Sequence, residues 1–198
     1  MICRNWKIAE MEGIMKTIKV LGICGSLRRQ STNMNLLRYA QENAPLGMQI
    51  EIADLSAVPF YNADIAEKPV AVQTLLSQIG QANALLLVCP EYNYSMAPAL
   101  KNALDWASRE PDNHLMAGKP AAIMGAGGGM GTSRAQYHLR QVCVFLDLHL
   151  LNKPEVFCNA FSDSFDQNGK LVDEQIQALI SRQLSALQTC ANRICTTS

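Results

Sequence analysis

The sequence predicts an α/β domain, built as a doubly wound, three-layer, five-stranded parallel sheet. Strand-like and helix-like segments alternate along the chain, with short connections between most of them. One segment, Ala84–Cys89, is almost wholly apolar, which is typical of a central parallel strand covered by helices on both faces. Five successive β-α units favour one sheet rather than two domains.

The first half of the chain supplies three of the strands. Thr17–Cys24 is short, β-branched and closed by a glycine, so it predicts a buried strand. A helical pattern over Asn33–Asn43 leads to the second strand, Met48–Ala53. After a loop, Val70–Gln81 places its apolar residues on one face of a helix, and Ala84–Cys89 follows as the third strand.

The second half continues the alternation. Ala97–Ser108 predicts a helix whose proline falls in the first turn, where it is tolerated. Pro120–Gly125 predicts the fourth strand and enters a glycine run. Thr132–Phe145 predicts the fourth helix, and Leu148–Asn152 begins the fifth strand. Val172–Arg193 keeps apolar residues at helical spacing and predicts the last helix.

The charge composition limits the classes of partner that we expect the protein to bind. Lysine plus arginine and aspartate plus glutamate both number 17, so the formal net charge is zero. A nucleic-acid or anionic-membrane partner needs a basic footprint, and we expect neither. No apolar run approaches the roughly 20 residues that membrane insertion requires.

The seven cysteines include no C-x-x-C pair, so we expect reduced thiols, no metal site and a cytoplasmic location. Residues 1–16 contain no apolar core long enough for a signal peptide. We expect them to be an extension, disordered or not native, ahead of one domain over 17–198. The alternative is an N-terminal helix that packs on a neighbouring subunit.

In a doubly wound sheet the ligand lies outside the carboxyl ends of the strands, so the loops after strands one, three and four determine function. The first, residues 25–33, leaves a buried strand and opens a helix, so its backbone N–H groups lie at a positive dipole end. The hydroxyls of Ser26, Ser31 and Thr32, with the guanidinium of Arg28, add the donors that a phosphate needs. The alternative is an ordinary loop in which Ser31 or Asn33 caps the helix.

The other two loops complete this edge. Residues 90–95 (PEYNYS) form a polar, aromatic loop that can border a flat ring; the alternative is a turn leading into a helix, with both tyrosines used for packing. The glycines of 125–131 (GAGGGMG) indicate close backbone approach or unusual backbone conformations. Here the alternative is a purely structural turn.

Together these loops resemble the NADPH-dependent FMN reductase family, which includes flavodoxin-like quinone and chromate reductases. The motifs are GSLRRQSTN at 25–33, PEYNYSMAPALKNALDW at 90–106 and GAGGGMGTSRAQYHLRQVCVFLD at 125–147. The resemblance covers about residues 19–193 and implies a flavodoxin-like fold, non-covalent FMN, and NADPH or NADH as co-substrate. Many family members have a serine or threonine early in the third loop, where this chain has Gly125-Ala126.

The resemblance also implies a set of FMN-binding residues, in which the first loop holds the phosphate and the other two border the isoalloxazine. These residues are Ser26, Arg28, Ser31, Thr32, Asn33, Pro90, Glu91, Tyr92, Asn93, Tyr94, Gly125, Gly127, Gly128 and Gly129. It further implies a homodimer or homotetramer with 100–106 and 137–145 near the interface, and Arg134, Tyr137 and Glu155 between dimers. A solvated helix-end arginine is the alternative for Arg134.

The function implied is reduction of small oxidants such as quinones, azo compounds, chromate or free flavin by NAD(P)H. We expect no catalytic side chain, because the flavin carries the chemistry; His138 and His149 fall in helix and strand patterns and are interpreted as structural. The alternative is a flavodoxin-type electron carrier without turnover of its own. Such carriers are usually strongly acidic, whereas this chain has zero net charge.

Overall fold

The computed structural model describes residues 17–197, with side chains described as far as Ile194. The predicted extension over 1–16 lies outside the described residues. No helix within 17–197 is both long and apolar enough to cross a bilayer. In chain order the elements are β1 (Ile18–Cys24), α1 (Thr32–Glu42), β2 (Met48–Ile52), α2 (Val70–Gln81), β3 (Ala84–Val88), β4 (Glu91–Tyr92), β5 (Ser95–Met96), α3 (Pro98–Ala107), a 3₁₀ turn (Pro111–Asn113), β6 (Pro120–Gly127), α4 (Ser133–Phe145), β7 (His149–Leu150), β8 (Val156–Asn159) and α5 (Glu174–Thr197).

The main sheet is parallel and confirms the predicted fold class. Its strand order is β2-β1-β3-β6-β7, with β8 also paired to β6. Every residue of β3 is buried, because α2, α3 and α4 cover one face of the sheet while α1 and α5 cover the other. The order of the strands places the ends of β1, β3 and β6 side by side at one edge.

Most element boundaries agree closely with the prediction. The helix over Val70–Gln81 is confirmed residue for residue. The last helix begins at Glu174, two residues later than predicted, because the Asp173 carboxylate accepts the N–H groups of Gln175 and Ile176 at 2.9 and 3.1 Å. An aspartate in that position is a common helix N-cap.

The fifth strand differs from the prediction, because it is split in two. β7 pairs with Pro120 and Ala121, whereas β8 pairs with β6 from Met124 onward. Pro154 lies between the two halves and has no N–H to donate to a ladder. Side-chain amides bind the carbonyls near this break: Gln183 donates to Ile123 and Pro154 at 3.0 and 2.8 Å, and Gln136 donates to Val156 at 2.9 Å.

Candidate functional site

The first and second loops are packed directly against each other. Gly25 donates its N–H to the Val88 carbonyl at 2.9 Å, which continues the β1–β3 ladder into the first loop. A Cβ added to Gly25 would lie 2.9 to 3.0 Å from Leu100, Ala97 and Pro90. Glycine is therefore required there, since any side chain would force the first loop away from the start of α3.

Several backbone N–H groups of the first loop have no hydrogen-bond partner among the described residues. Ser31 is the N-cap of α1, and its hydroxyl accepts the N–H of Met34 at 3.2 Å. Within the described part of the chain, the N–H groups of Arg29, Gln30, Thr32 and Asn33 have no acceptor. Together with the positive end of the α1 dipole, these N–H groups form an arrangement that binds anions.

The side chains predicted to flank these donors differ in their burial and in their hydrogen-bond partners. Ser26 is buried, and its hydroxyl accepts only a long hydrogen bond of 3.5 Å from the Arg28 N–H. The Arg28 side chain is exposed and has no ion-pair or hydrogen-bond partner among the described residues. Thr32 is half-buried at the first position of α1. All three border the same edge of the sheet.

Asn33 has a partner within the protein. Its side-chain amide donates to the Ala126 carbonyl at 2.7 Å and accepts the Ala126 N–H at 2.9 Å. The residue is buried, so these two hydrogen bonds join the start of α1 to the end of β6. Only the backbone N–H of Asn33 therefore belongs to the anion-binding donors. Its side chain holds the first loop against the end of β6.

The second loop is a tight hairpin formed by β4 and β5, which the sequence analysis did not anticipate. Asn93 and Tyr94 have φ values of 50° and 66°, the left-handed conformation that a two-residue hairpin turn requires. No described residue binds the side-chain amide of Asn93. Pro90 is buried at the base, whereas Tyr92 and Tyr94 are exposed, so this loop presents polar and aromatic groups at the edge.

An ion pair joins this hairpin to α4. The Glu91 carboxylate accepts a hydrogen bond from Nε of Arg134 at 2.7 Å and lies 2.6 Å from Nη2, and its second oxygen accepts the N–H of Ala135 at 3.2 Å. The Arg134 guanidinium also lies 3.8 Å from the ring centroid of Tyr94. Because the Glu91 side chain is only 8% exposed, this pair fixes the hairpin against the start of α4.

The fourth strand of the sheet is longer than predicted: β6 extends to Gly127, so Gly125 and Gly127 lie at its end and the third loop begins at Gly128. A Cβ on Gly125 would lie 2.1 Å from Oγ1 of Thr132 and 2.5 Å from the Cys89 carbonyl, and one on Gly127 would lie 2.3 Å from the Gly131 carbonyl. Packing within the protein explains both positions. Around a Cβ on Gly129, by contrast, no described atom lies within 4 Å, and for Gly128 the nearest is at 3.9 Å. The outer glycines thus leave open space at the edge.

The side chain of Thr132 occupies the space beside Gly125. Its hydroxyl is buried beside Gly125, where a side chain on Gly125 would otherwise lie, and accepts from Nε2 of Gln136 at 3.0 Å. No sequence pattern indicates this packing role of Thr132, because the contact depends on the path of the loop.

Buried thiols lie behind the three loops. Burial raises the pKa of Cys24 to about 11 and that of Cys89 to about 12. Cys143 on α4 and Cys158 on β8 have pKa values raised by burial to about 12 and about 11. All four are therefore protonated and unreactive at neutral pH.

Of the residues predicted to lie between dimers, Arg134 and Tyr137 are on α4, and Glu155 contacts another residue of that helix, Arg140. Arg134 is paired with Glu91, and Glu155 accepts from Nζ of Lys153 at 2.5 Å and lies 3.9 Å from Nη2 of Arg140. Tyr137 is exposed on α4, as are Val144 and Phe145. Nearby on the same helix, His138 is exposed and its Nδ1 lies 3.1 Å from the Ser95 hydroxyl.

A cavity of about 360 Å³ lies where the first two loops meet. It is lined by Gly25, Leu27, Arg28, Tyr92, Pro98 and Ala99. Its volume falls within the range of small-molecule sites. Arg28 of the first loop and Tyr92 of the hairpin therefore border one space whose size suits a small ligand.

Comparison with known proteins identifies the family of the chain. A family model of NADPH-dependent FMN reductases matches residues 18–163. An NAD(P)H-dependent FMN reductase of Pseudomonas aeruginosa is 53% identical over 180 residues, covering 89% of this chain and 97% of that protein. A quinone reductase of Escherichia coli K12 is 38% identical over 183 residues, covering 89% of this chain and 97% of that protein.

Solved structures give the same result. The flavoenzyme NAD(P)H:(acceptor) oxidoreductase FerB from Paracoccus denitrificans superposes with a TM-score of 0.81 at 28% identity, covering 89% of this chain and 98% of that one. A flavodoxin variant from P. aeruginosa has a TM-score of 0.60 at 15% identity, covering 86% and 99%, which shows a shared fold alone. With its loops, its sheet and these relatives taken together, the chain belongs to the NADPH-dependent FMN reductase family.

Proposed function

We propose that this protein is an FMN-dependent oxidoreductase that uses NAD(P)H to reduce small oxidants: quinones, azo compounds, chromate or free flavin. The observation that carries the proposal is the set of unpaired backbone N–H groups in the first loop, beside the free guanidinium of Arg28. Family membership and relatives named as FMN and quinone reductases support it.

The residues present fit FMN. Ser26, Arg28, Ser31 and Thr32 hold the phosphate in this proposal, together with the backbone N–H of Asn33. The Ser31 hydroxyl retains its proton for this role, since it acts only as acceptor toward Met34. A phosphate dianion then receives charge-assisted hydrogen bonds from backbone and side chains at one helix end.

The second and third loops border the ring system. Pro90, Tyr92, Asn93 and Tyr94 present one edge, while Gly128 and Gly129 leave room for the other. Gly125 and Gly127, at the end of β6, allow the close packing that supports the third loop.

Bound FMN supplies the hydride chemistry, so no catalytic side chain is required. The protein binds and orients the reactants and excludes water. In this proposal Glu91 is a positioning residue rather than an acid or base, because Arg134 and the Ala135 N–H occupy both of its oxygens.

Self-association as a homodimer or homotetramer is part of the proposal. An exposed apolar face on α4, formed by Tyr137, Val144 and Phe145, supports it, because apolar surface of this kind is typical of subunit interfaces. Of the residues predicted between dimers, Tyr137 is the most exposed, while Arg134 and Glu155 already have partners within the subunit. Buried thiols suit a reducing compartment, and the cytoplasm is the proposed location.

A visible spectrum followed by anaerobic addition of NADPH or NADH tests the function. The proposal expects a yellow protein that bleaches with a nicotinamide nucleotide and oxidises it steadily when a quinone is supplied. A flavin-loaded protein without steady-state turnover would instead support the electron carrier.

A further inference from the structure

Phe161 is among the most exposed large apolar side chains in the described part of the chain, with 87% of its surface accessible. It lies two residues after the end of β8, and β8 runs parallel to β6, so both strands end at the same edge of the sheet. The three loops lie at this edge, where doubly wound sheets bind their ligands. The Phe161 ring is therefore exposed at the edge to which the flavin is assigned.

The third loop begins as a tight turn beside Phe161. Gly131 donates its N–H to the Gly128 carbonyl at 2.7 Å, which closes the turn. A Cβ on Gly131 would lie 2.7 Å from Cβ of Phe157 on β8, so the turn is packed against that strand. At the other end of the turn, the atom nearest to a Cβ on Gly128 is Cε2 of Phe161, at 3.9 Å. The Phe161 ring thus borders one of the two glycines that leave room for the flavin ring.

Hydrogen bonds fix the backbone on both sides of Phe161. Ala160 donates its N–H to the Gly127 carbonyl at 2.6 Å, which continues the β6–β8 ladder beyond β8. The side-chain oxygen of Asn159 accepts the Phe161 N–H at 3.0 Å, an arrangement by which asparagine stabilises a turn. The Ser162 hydroxyl donates to the Asn159 carbonyl at 2.9 Å. The ring is therefore exposed on a backbone that is held in place at the end of the sheet.

The chemistry of this side chain suits an apolar ring rather than an anion. Phe161 has no polar atom, whereas Tyr92 and Tyr94 of the hairpin each carry a hydroxyl that water can bind. The Tyr94 ring is already covered by the Arg134 guanidinium, 3.8 Å from its centroid. Met130, at the tip of the turn beside Phe161, is exposed as well, so the surface here is apolar. Contact with a flat apolar ligand would remove that surface from water.

We propose that Phe161 determines specificity among the small oxidants, because its ring contacts the apolar ring of a quinone bound beside the flavin. The inference rests on the proposed function and deepens it: it assigns the preference for one class of oxidant, flat apolar quinones, to one side chain. Hydrophilic inorganic oxidants gain nothing from this contact, so the side chain favours quinones over them.

Calorimetric titration of the oxidised, FMN-loaded full chain with a naphthoquinone methylated at both free positions of its quinone ring measures binding without turnover. Phe161→Ala should bind this quinone about tenfold more weakly, a change of about 1.4 kcal/mol. In steady-state assays the ratio of kcat/KM for the quinone to kcat/KM for ferricyanide should fall about tenfold, through KM for the quinone. Phe161→Tyr keeps the ring and should retain the wild-type affinity. Leu46→Ala removes an equally exposed apolar side chain at the opposite edge of the sheet, before β2, and as the matched control should change neither quantity.

Equal quinone affinity of the wild type and Phe161→Ala would overturn the inference. A parallel loss of turnover with ferricyanide, or of FMN affinity measured by quenching of flavin fluorescence, would also overturn it, because the ring would then support the flavin site as a whole. A lower light-scattering mass of Phe161→Ala would assign the ring to a subunit interface instead. In each of these cases the wild type still binds FMN and oxidises NADPH, so the proposed function stands. Absence of bound FMN from the wild type would refute the proposed function itself.

Discussion

The ion pair between Glu91 and Arg134 should couple the hairpin to α4 more strongly than a surface pair couples its elements. Glu91→Gln keeps the size of the side chain but removes the charge that three donors contact. The Glu91 side chain is 8% exposed and that of Arg134 is 40% exposed, so solvent screens one partner only in part. We expect a coupling free energy of about 1 to 2 kcal/mol, between the values for exposed and fully buried pairs.

A double-mutant cycle measures this coupling. Glu91→Gln, Arg134→Gln and the double variant are unfolded in urea, and the free energy of unfolding is compared across the four proteins. Lys101 and Asp105 form the control pair, with an N–O distance of 2.7 Å but side chains 42% and 31% exposed; Asp105→Asn and Lys101→Gln should couple by less than about 0.5 kcal/mol. If the Glu91 cycle gave no more coupling than the control cycle, the pair would not fix the hairpin and our reasoning would be wrong.

Other consequences can be checked on the same protein. Gly125→Ala should lower the free energy of unfolding by about 1 to 3 kcal/mol because its Cβ meets Thr132 and a backbone carbonyl, whereas Gly129→Ala should change it by less than about 0.5 kcal/mol; thermal melts compare the two, and equal shifts would contradict the packing argument. The four buried thiols have pKa values of about 11 or 12 in the folded state but 9.0 when unfolded. Their contribution to the free energy of unfolding is therefore fully present below pH 9 and is lost as the pH rises toward 11. Burial lowers the pKa of Lys119 from 10.5 to about 8. Between these two pH values the unfolded state binds one more proton at Lys119 than the folded state, so this group makes the free energy of unfolding rise with pH. The unfolding free energy near pH 10 should therefore fall with a slope of about three protons, and a flat profile would count against the buried thiols. Phe145→Glu on α4 should shift light-scattering mass toward the monomer, and an unchanged mass would remove α4 from the proposed interface.

The sheet was predictable because its signals are local. The apolar run of β3 and the spacing of α2 depend on burial of single segments, and the structure confirms both elements. The split of the fifth strand was not predictable in the same way. The carbonyls near the break are bound by Gln136 and Gln183 from α4 and α5, and no local sequence pattern indicates those contacts.

Parts of the candidate site depend on contacts between distant residues. The hydroxyls and arginine of the first loop indicate an anion site from their order alone. That the Asn33 side chain pairs with Ala126, 93 positions away, depends on how the loops fold against each other. The same holds for Arg134: its sequence position at the start of a helix gives no sign of the Glu91 carboxylate that it binds.

The central claim is that the first loop grips the phosphate of a flavin, and comparing FMN with riboflavin tests it most directly. Fluorescence titration of the flavin-free full chain should show FMN binding at least about a hundredfold more tightly than riboflavin, because a phosphate held by several charge-assisted bonds is worth about 3 kcal/mol or more. Arg28→Ala should remove about tenfold of that difference. Equal affinity for the two flavins, or no binding of either, would contradict the claim.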